Sequence, residues 1–201
     1  VGKQRWYEKI YMSYTGHISN SINTKEDKLM HSNLVKDWRN GWQHQIPIGA
    51  SLSLFDVINI TPSFNITDRT YFQKINKSWD DVAQKEVADT TYGFHNVYNW
   101  NFSVSASTKL YGFYVPNRKL FGDKIQAVRH VFTPSLSFSY APDFSAQRYG
   151  FWDSYQKTNA DGTVELVPYS PYSGMLFGTV SQGKTGSVSL DISNNIEMKV
   201  K

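Results

Sequence analysis

The chain has 201 residues, with 21 Lys and Arg against 17 Asp and Glu for a formal net charge of +4; 40% of its residues are hydrophobic and 15% aromatic. Mean hydropathy is −0.48 and no stretch approaches the roughly 18 consecutive apolar residues of a spanning helix, so a helical membrane protein is excluded. The lack of cysteine excludes a disulfide scaffold, a thiolate metal site and a cysteine nucleophile, and the abundance of aromatics argues against disorder.

From the N-terminus, Val1 to Arg5 shows no initiator Met and no apolar leader, so no signal peptide is expected there. The first predicted strand, about 5–22, alternates Trp6, Ile10, Met12 and Ile18 with Ser13, Thr15 and His17. A second, about 42–54, sets Trp42, His44, Ile46, Ile48 and Leu52 against Pro47, Ser51 and Ser53. The third, about 58–72, sets Ile60, Pro62 and Phe64 against Thr61, Ser63 and Asn65. The fourth, about 94–110, opposes Tyr98, Trp100, Phe102 and Val104 to Asn101, Ser103 and Ser105. In the fifth, about 127–141, Pro134, Leu136, Phe138 and Tyr140 face away from Ser135 and Ser137. The sixth, about 185–200, opposes Leu190 and Ile192 to Ser189. No helical stripe of useful length accompanies them; a short helical turn is expected near Trp79 to Val87, within a loop.

Long connections at about 23–41, 73–93 and 142–184 alternate with shorter ones. In an up-and-down meander all three fall at one end of the sheet, an asymmetry typical of outer-membrane barrels. These loops hold ten basic and eleven acidic residues, net −1, and the remainder of the chain carries +5. Much of the positive end is Lys3, Arg5, Lys9, Arg118, Lys119 and Lys124. No basic stripe with interleaved aromatics appears, so no nucleic-acid partner is expected.

A soluble β-sandwich alternates too, because each sheet buries one face. Three features favour the membrane. The runs are roughly 14–18 residues, against about 5–6 for ordinary strands. Their polar faces carry Ser, Thr, Asn and Gln with few charges. Tyr and Trp gather near strand ends (Trp6, Trp42, Tyr98, Trp100, Tyr140), as aromatic girdles do. Bilayer hydrocarbon offers no hydrogen-bond partner, so all backbone groups must pair within a closed barrel. The expected fold is all-β: an antiparallel up-and-down transmembrane β-barrel, with 1–201 supplying about six strands of a larger barrel in a single domain.

The apolar positions Ile10, Met12, Ile46, Ile48, Leu52, Ile60, Phe64, Phe102, Val104, Leu136, Phe138, Leu190 and Ile192 are then expected to face lipid. The polar positions Ser13, Thr15, His17, Ser51, Ser53, Asn65, Asn101, Ser103, Ser105, Ser135, Ser137 and Ser189 are expected to face a lumen. These side chains are too small to fill a narrow barrel, so water or a separate plug would occupy the interior. Pro47, Pro62 and Pro134 sit inside strands, where each removes a ladder donor. Two readings stay open: local bulging, or a weakly paired seam that opens sideways.

No catalytic motif is present. His17, His31, His44, His95 and His130 lack metal-ligand spacing. Asp80 and Asp81 are read as solvated loop charges rather than a cation site, and the Asn-x-Ser/Thr sequences at Asn59, Asn65, Asn76 and Asn101 as chance products of a polar face. No enzyme, metal or cofactor is expected.

The segment from Arg129 to Phe144 (RHVFTPSLSFSYAPDF), together with Tyr169 to Tyr172 (YSPY) and the runs from Gly183 to Val188 and Asn194 to Lys199, resembles the LptD family of lipopolysaccharide-assembly outer-membrane proteins, in particular its Bacteroidota branch. The likeness is good over about the last third of the chain and rests on strand pattern elsewhere. It implies a middle portion of a large barrel in the outer membrane of a Gram-negative bacterium. Such a barrel receives lipopolysaccharide from a periplasmic bridge and releases it into the outer leaflet among the outer-membrane lipids, with a plug lipoprotein of LptE type in its lumen. The family's periplasmic jellyroll and its cysteine pattern are not seen in these residues, and no gate role is carried onto the three prolines. Other large barrels (porin, TonB-dependent transporter, secretion channel) and a soluble or cell-surface carbohydrate-binding β-sheet protein are the alternatives.

Overall fold

The computed structural model describes residues 5–34, 36–116 and 124–200. Of the basic residues assigned to the short-turn end, Lys3, Arg118 and Lys119 lie outside these. One antiparallel sheet dominates, formed by β1 (Ile10–Met12), β2 (Thr15–Ser21), β3 (Arg39–Ala50), β4 (Leu52–Leu54), β5 (Ile58–Asp80), β6 (Lys85–Thr108), β7 (Leu110–Tyr114), β8 (Ile125–Ala141) and, last in the chain, β11 (Thr185–Val200). Between these last two, β9 (Asp153–Thr158) and β10 (Val164–Tyr169) form a separate hairpin.

The register reduces the nine strands to six staves. Met12 pairs with Ile48 and Thr15 with Gln45, so β1 and β2 are one line with a gap. By the same test β3 continues into β4, and β6 into β7. The staves lie in chain order, each antiparallel to the next, with β1/β2 and β11 at the edges. This is the up-and-down meander that the long alternating runs predict. The turn between β4 and β5 is tight: Val57 N–H donates to Leu54 C=O at 3.2 Å, and both central residues, Phe55 and Asp56, have positive φ. The register pairs Leu54 with Ile58, so the connection is a three-residue hairpin loop, Phe55 to Val57.

All three strand prolines lie opposite gaps. Register places Pro47 across from Ser13, in the gap between β1 and β2. It sets Pro62 across from Ala50, where β3 stops before β4 begins, and Pro134 across from Thr108, next to the gap at Lys109. On its other side each proline sits in an unbroken ladder, paired with Asn65, Val104 and Ile192 respectively. A residue in an antiparallel strand aims its N–H and C=O at the same neighbour; the missing N–H therefore costs a bond on one side only. Ser13 N–H still reaches Pro47 C=O at 3.2 Å.

Some boundaries differ from expectation. Residues 73–93 are not a loop: β5 and β6 run on to Asp80 and Lys85 as one long hairpin, and no helical turn forms at Trp79–Val87. Asp80 closes the tip instead, accepting from the backbone N–H groups of Val82 and Ala83. The extension is held by an ion pair between Lys77 and Glu86 at 2.8 Å and by Asn76 donating to Thr91. A register shift between Tyr71 and Gln73 marks where this hairpin leaves the expected strands. The first stave is not continuous over 5–22, since Trp6–Lys9 is a 3-10 turn and the strand breaks at Ser13 and Tyr14. Loop 23–41 carries a short helix at Glu26–Leu29 and gives its last residues to β3.

Candidate functional site

Residues directly opposite one another in a ladder share a face, and the register keeps odd opposite odd throughout the lower sheet. One row runs Thr61, Ser105, Ser137, Ser189; the next runs Ser63, Ser103, Ser139, Ser187. Their hydroxyls bond pairwise across strands: Ser63 with Ser103 at 2.7 Å, Thr61 with Ser105, Ser137 with Ser189 at 2.6 Å and Ser139 with Ser187 at 2.7 Å. Asn65 and Asn101 make the row above, Asn59, Ser107, Ser135 and Asp191 the row below. Ser51, Ser53, Ser13, Thr15 and His17 belong to the same odd face on the first two staves. The result is a continuous wall of hydroxyl and amide groups, each still able to bond a further polar partner.

The opposite face is apolar. Ile48, Phe64, Phe102 and Tyr140 form one row; Pro62, Val104, Phe138 and Val188 the next; Ile60, Ala106, Leu136 and Leu190 the next. Ile10, Met12, Ile46, Leu52 and Ile192 share this face. Among the described residues most of it lies uncovered, with Val188 71% exposed; only at the loop end do Tyr98 and Trp100 pack against Phe144, Tyr149 and Phe151 of the segment 142–184. Toward the loop end it turns amphipathic: Tyr14 Oη lies 2.8 Å from His44 Nδ1, the Trp42 ring is 4.3 Å from the His44 ring, and Asn96 bonds the Asp68 carboxylate. Trp100 and Tyr140 continue this aromatic band. Trp6 stands apart, in the 3-10 turn before β1.

Toward the loop end the odd face changes character, because residues 142–184 fold back over it. Tyr71 and Val97 have no solvent exposure and pack with Phe144, Phe151, Tyr172, Met175 and Val180. Tyr71 Oη donates to Gly178 C=O at 2.7 Å, and Phe177 meets the His17 ring and approaches Gly41. Asp143 ties the two ends of the segment together by accepting from Ser145 and, forty residues on, from Gly183 N–H at 3.0 Å. The Ser145 hydroxyl and backbone bonds hold the Asp143 carboxyl below the ordinary Asp range. Burial raises the Tyr172 phenol above its usual value. Glu86, at the hairpin tip, is depressed by its bond from Lys77 and then by that from Tyr155.

Two groups decisive here were not among the expected site residues. Arg69 lies on the odd face, donating Nε to Phe177 C=O at 3.2 Å and Nη1 to Asn99 Oδ1 at 2.7 Å. The other is the folded segment itself, which periodicity marks only as a long loop. The histidines stay dispersed: His17 on Phe177, His95 on Tyr172, His130 against Asn194 and His44 in the aromatic band. Among the described residues no cluster of three potential metal ligands forms.

A family model described as LptD protein matches residues 1–201, and the chain belongs to that family. No curated protein and no solved structure matches it. The family consists of outer-membrane transport proteins for lipopolysaccharide in Gram-negative bacteria, and that is the class of function to which this chain belongs.

Proposed function

We propose that this part of an LptD-family protein forms a wall of an outer-membrane barrel, with its even-numbered face against lipid and its odd-numbered face lining a polar lumen. Lipopolysaccharide reaches the barrel from a periplasmic bridge, and its saccharide passes along the hydroxyl and amide wall while the acyl chains are delivered to the outer leaflet. A plug lipoprotein of LptE type is the natural occupant of the remaining lumen, since Ser and Asn side chains leave much of it unfilled. The reading rests above all on the division between faces in the lower sheet: the serine rows lie on one side of β5, β6, β8 and β11, and the rows of Ile60, Val104 and Phe102 on the other. The physics is that of a closed barrel, in which backbone groups pair with one another and only alternate side chains need to suit lipid. The role is carriage rather than bond-breaking.

Two measurements test it. Depleting the full-length protein is expected to lower surface lipopolysaccharide, and unchanged export would end the assignment. Sidedness is tested with single cysteines in this cysteine-free segment. A water-soluble maleimide is expected to label Ser105→Cys in the folded protein and to spare Val104→Cys; the reverse pattern would turn the wall inside out.

A further inference from the structure

The strongest unassigned feature is the guanidinium of Arg69, half-buried where the folded segment meets the polar wall. It faces a recess of about 160 Å³ lined by Asn99, Phe144, Thr179, Ser181 and Thr185, among others. Its two hydrogen-bond partners are neutral, a backbone carbonyl and an amide oxygen. No ion pair of Arg69 and no bond from its Nη2 occurs among the described residues. The adjacent Asp68 points to the other face of β5, where Asn96 bonds it. Asp143, whose chain neighbours Pro142 and Phe144 line the recess, accepts through Oδ1 from Ser145 and from Gly183 N–H. A guanidinium is always charged and carries five donors in a planar fork. The Asp68 carboxylate attracts it from the other face of β5 without an ion pair, and withdrawing a guanidinium from water with only neutral groups bonded to it costs free energy that those acceptors only partly return.

We propose that Arg69 and this recess form an anion-binding subsite on the wall, taking a phosphate or carboxylate substituent of the saccharide as it passes. The fork suits bidentate contact with either group. Asn99 Oδ1 is already committed to Arg69, which leaves its amide N–H groups as donors, and the Ser181 and Thr185 hydroxyls add more. The recess lies where the open serine rows end and the segment 142–184 begins. An anion held there is engaged at the loop end of the wall, after the serine rows have been traversed. The subsite rests on the lumen reading above, which it deepens by naming the chemical group recognised.

The test uses the full-length protein with its partner subunits in outer-membrane vesicles, with a photoreactive benzophenone amino acid in place of Asn101, one row below Asn99 on the same face, or in place of Ser105, farther down. The probes are intact lipopolysaccharide, the same material dephosphorylated with hydrofluoric acid, and the same material with its carboxyl groups reduced. Arg69→Gln is expected to lower the crosslink from position 101 by about tenfold, the worth of one charge-assisted hydrogen bond, and to leave that from position 105 unchanged. Arg69→Lys, which keeps the charge and loses the fork, should fall between. In the unsubstituted Arg69 background, removing one of the two anionic groups should reproduce the loss and identify which is bound. Equal crosslinking by all three probes overturns the subsite, and does so even if Arg69→Gln fails to assemble. Crosslinking at 105 that is indifferent to Arg69 and to every probe at 101 leaves the lumen reading standing without the subsite. No crosslink at either position overturns both.

Discussion

The lower and upper parts of the odd face share strands but not physics. Below, the Ser63 and Ser105 rows lie open, bonded only to their neighbours across the ladder. Above, Tyr71 and Val97 on the same strands are wholly buried under Phe144, Tyr172 and Val180. A few residues along one strand separate a surface stabilised by backbone pairing from one stabilised by packing. The contrast shows that one sheet can carry a water-soluble type of core at one end: the segment 142–184 brings its own hairpin, β9 with β10, and supplies the apolar partners that the strand lacks.

The two regimes should respond to different substitutions. Phe144→Ala strikes the packed end and is expected to destabilise it by about 3–5 kcal/mol. Limited proteolysis would then cut within 142–184 while the heat-resistant barrel band survives; loss of both together would make the sheet and its cover one cooperative unit. Val104→Arg addresses the open end from its apolar side, at an expected cost of about 2–4 kcal/mol if it lies near the bilayer midplane, with Ser105→Arg far milder. Urea unfolding in lipid vesicles measures the pair, and equal costs would break the sidedness.

Restoring a ladder donor is a smaller change. Pro62→Val offers an N–H toward Ala50 and should stabilise the sheet by about 0.5–1.5 kcal/mol, read by the same unfolding curve. The gentlest probe is pH. Because the Asp143 carboxyl is depressed in the folded state, its contribution is complete above the unfolded Asp value of about 3.9. It fades as pH falls through the lower folded value. Hydrogen exchange at Ser145 and Gly183 should therefore quicken only in strong acid, and earlier in no part of the serine rows.

Much of this division is visible in the bare sequence, for a physical reason. Period-2 alternation survives wherever one face of a strand is apolar and the other polar, so Ile60 and Thr61, or Phe102 and Ser103, declare their opposite faces unaided. It fails where both sides are polar. In 73–93 the neighbours Asn76, Lys77 and Ser78 give no contrast, so a paired hairpin looks like a loop. The register shift beside Gln73 also reverses the parity of β6 relative to β5. Arg69 escapes notice because a single arginine in an alternating run has no pattern; its isolation emerges only when Phe177, more than a hundred residues away, closes over it. The prolines are conspicuous in the sequence, but the side on which each breaks its ladder follows from register alone.

The serine rows have one more consequence. They run perpendicular to the strands, from β5 through β6 and β8 to β11, a lateral distance of about 14 Å at the usual strand spacing. In a barrel whose strands lean by roughly 35–45°, such a row is no level ring. It climbs by about 9 Å over those four strands, so successive hydroxyls along a single row stand at successive heights, like the treads of a spiral stair.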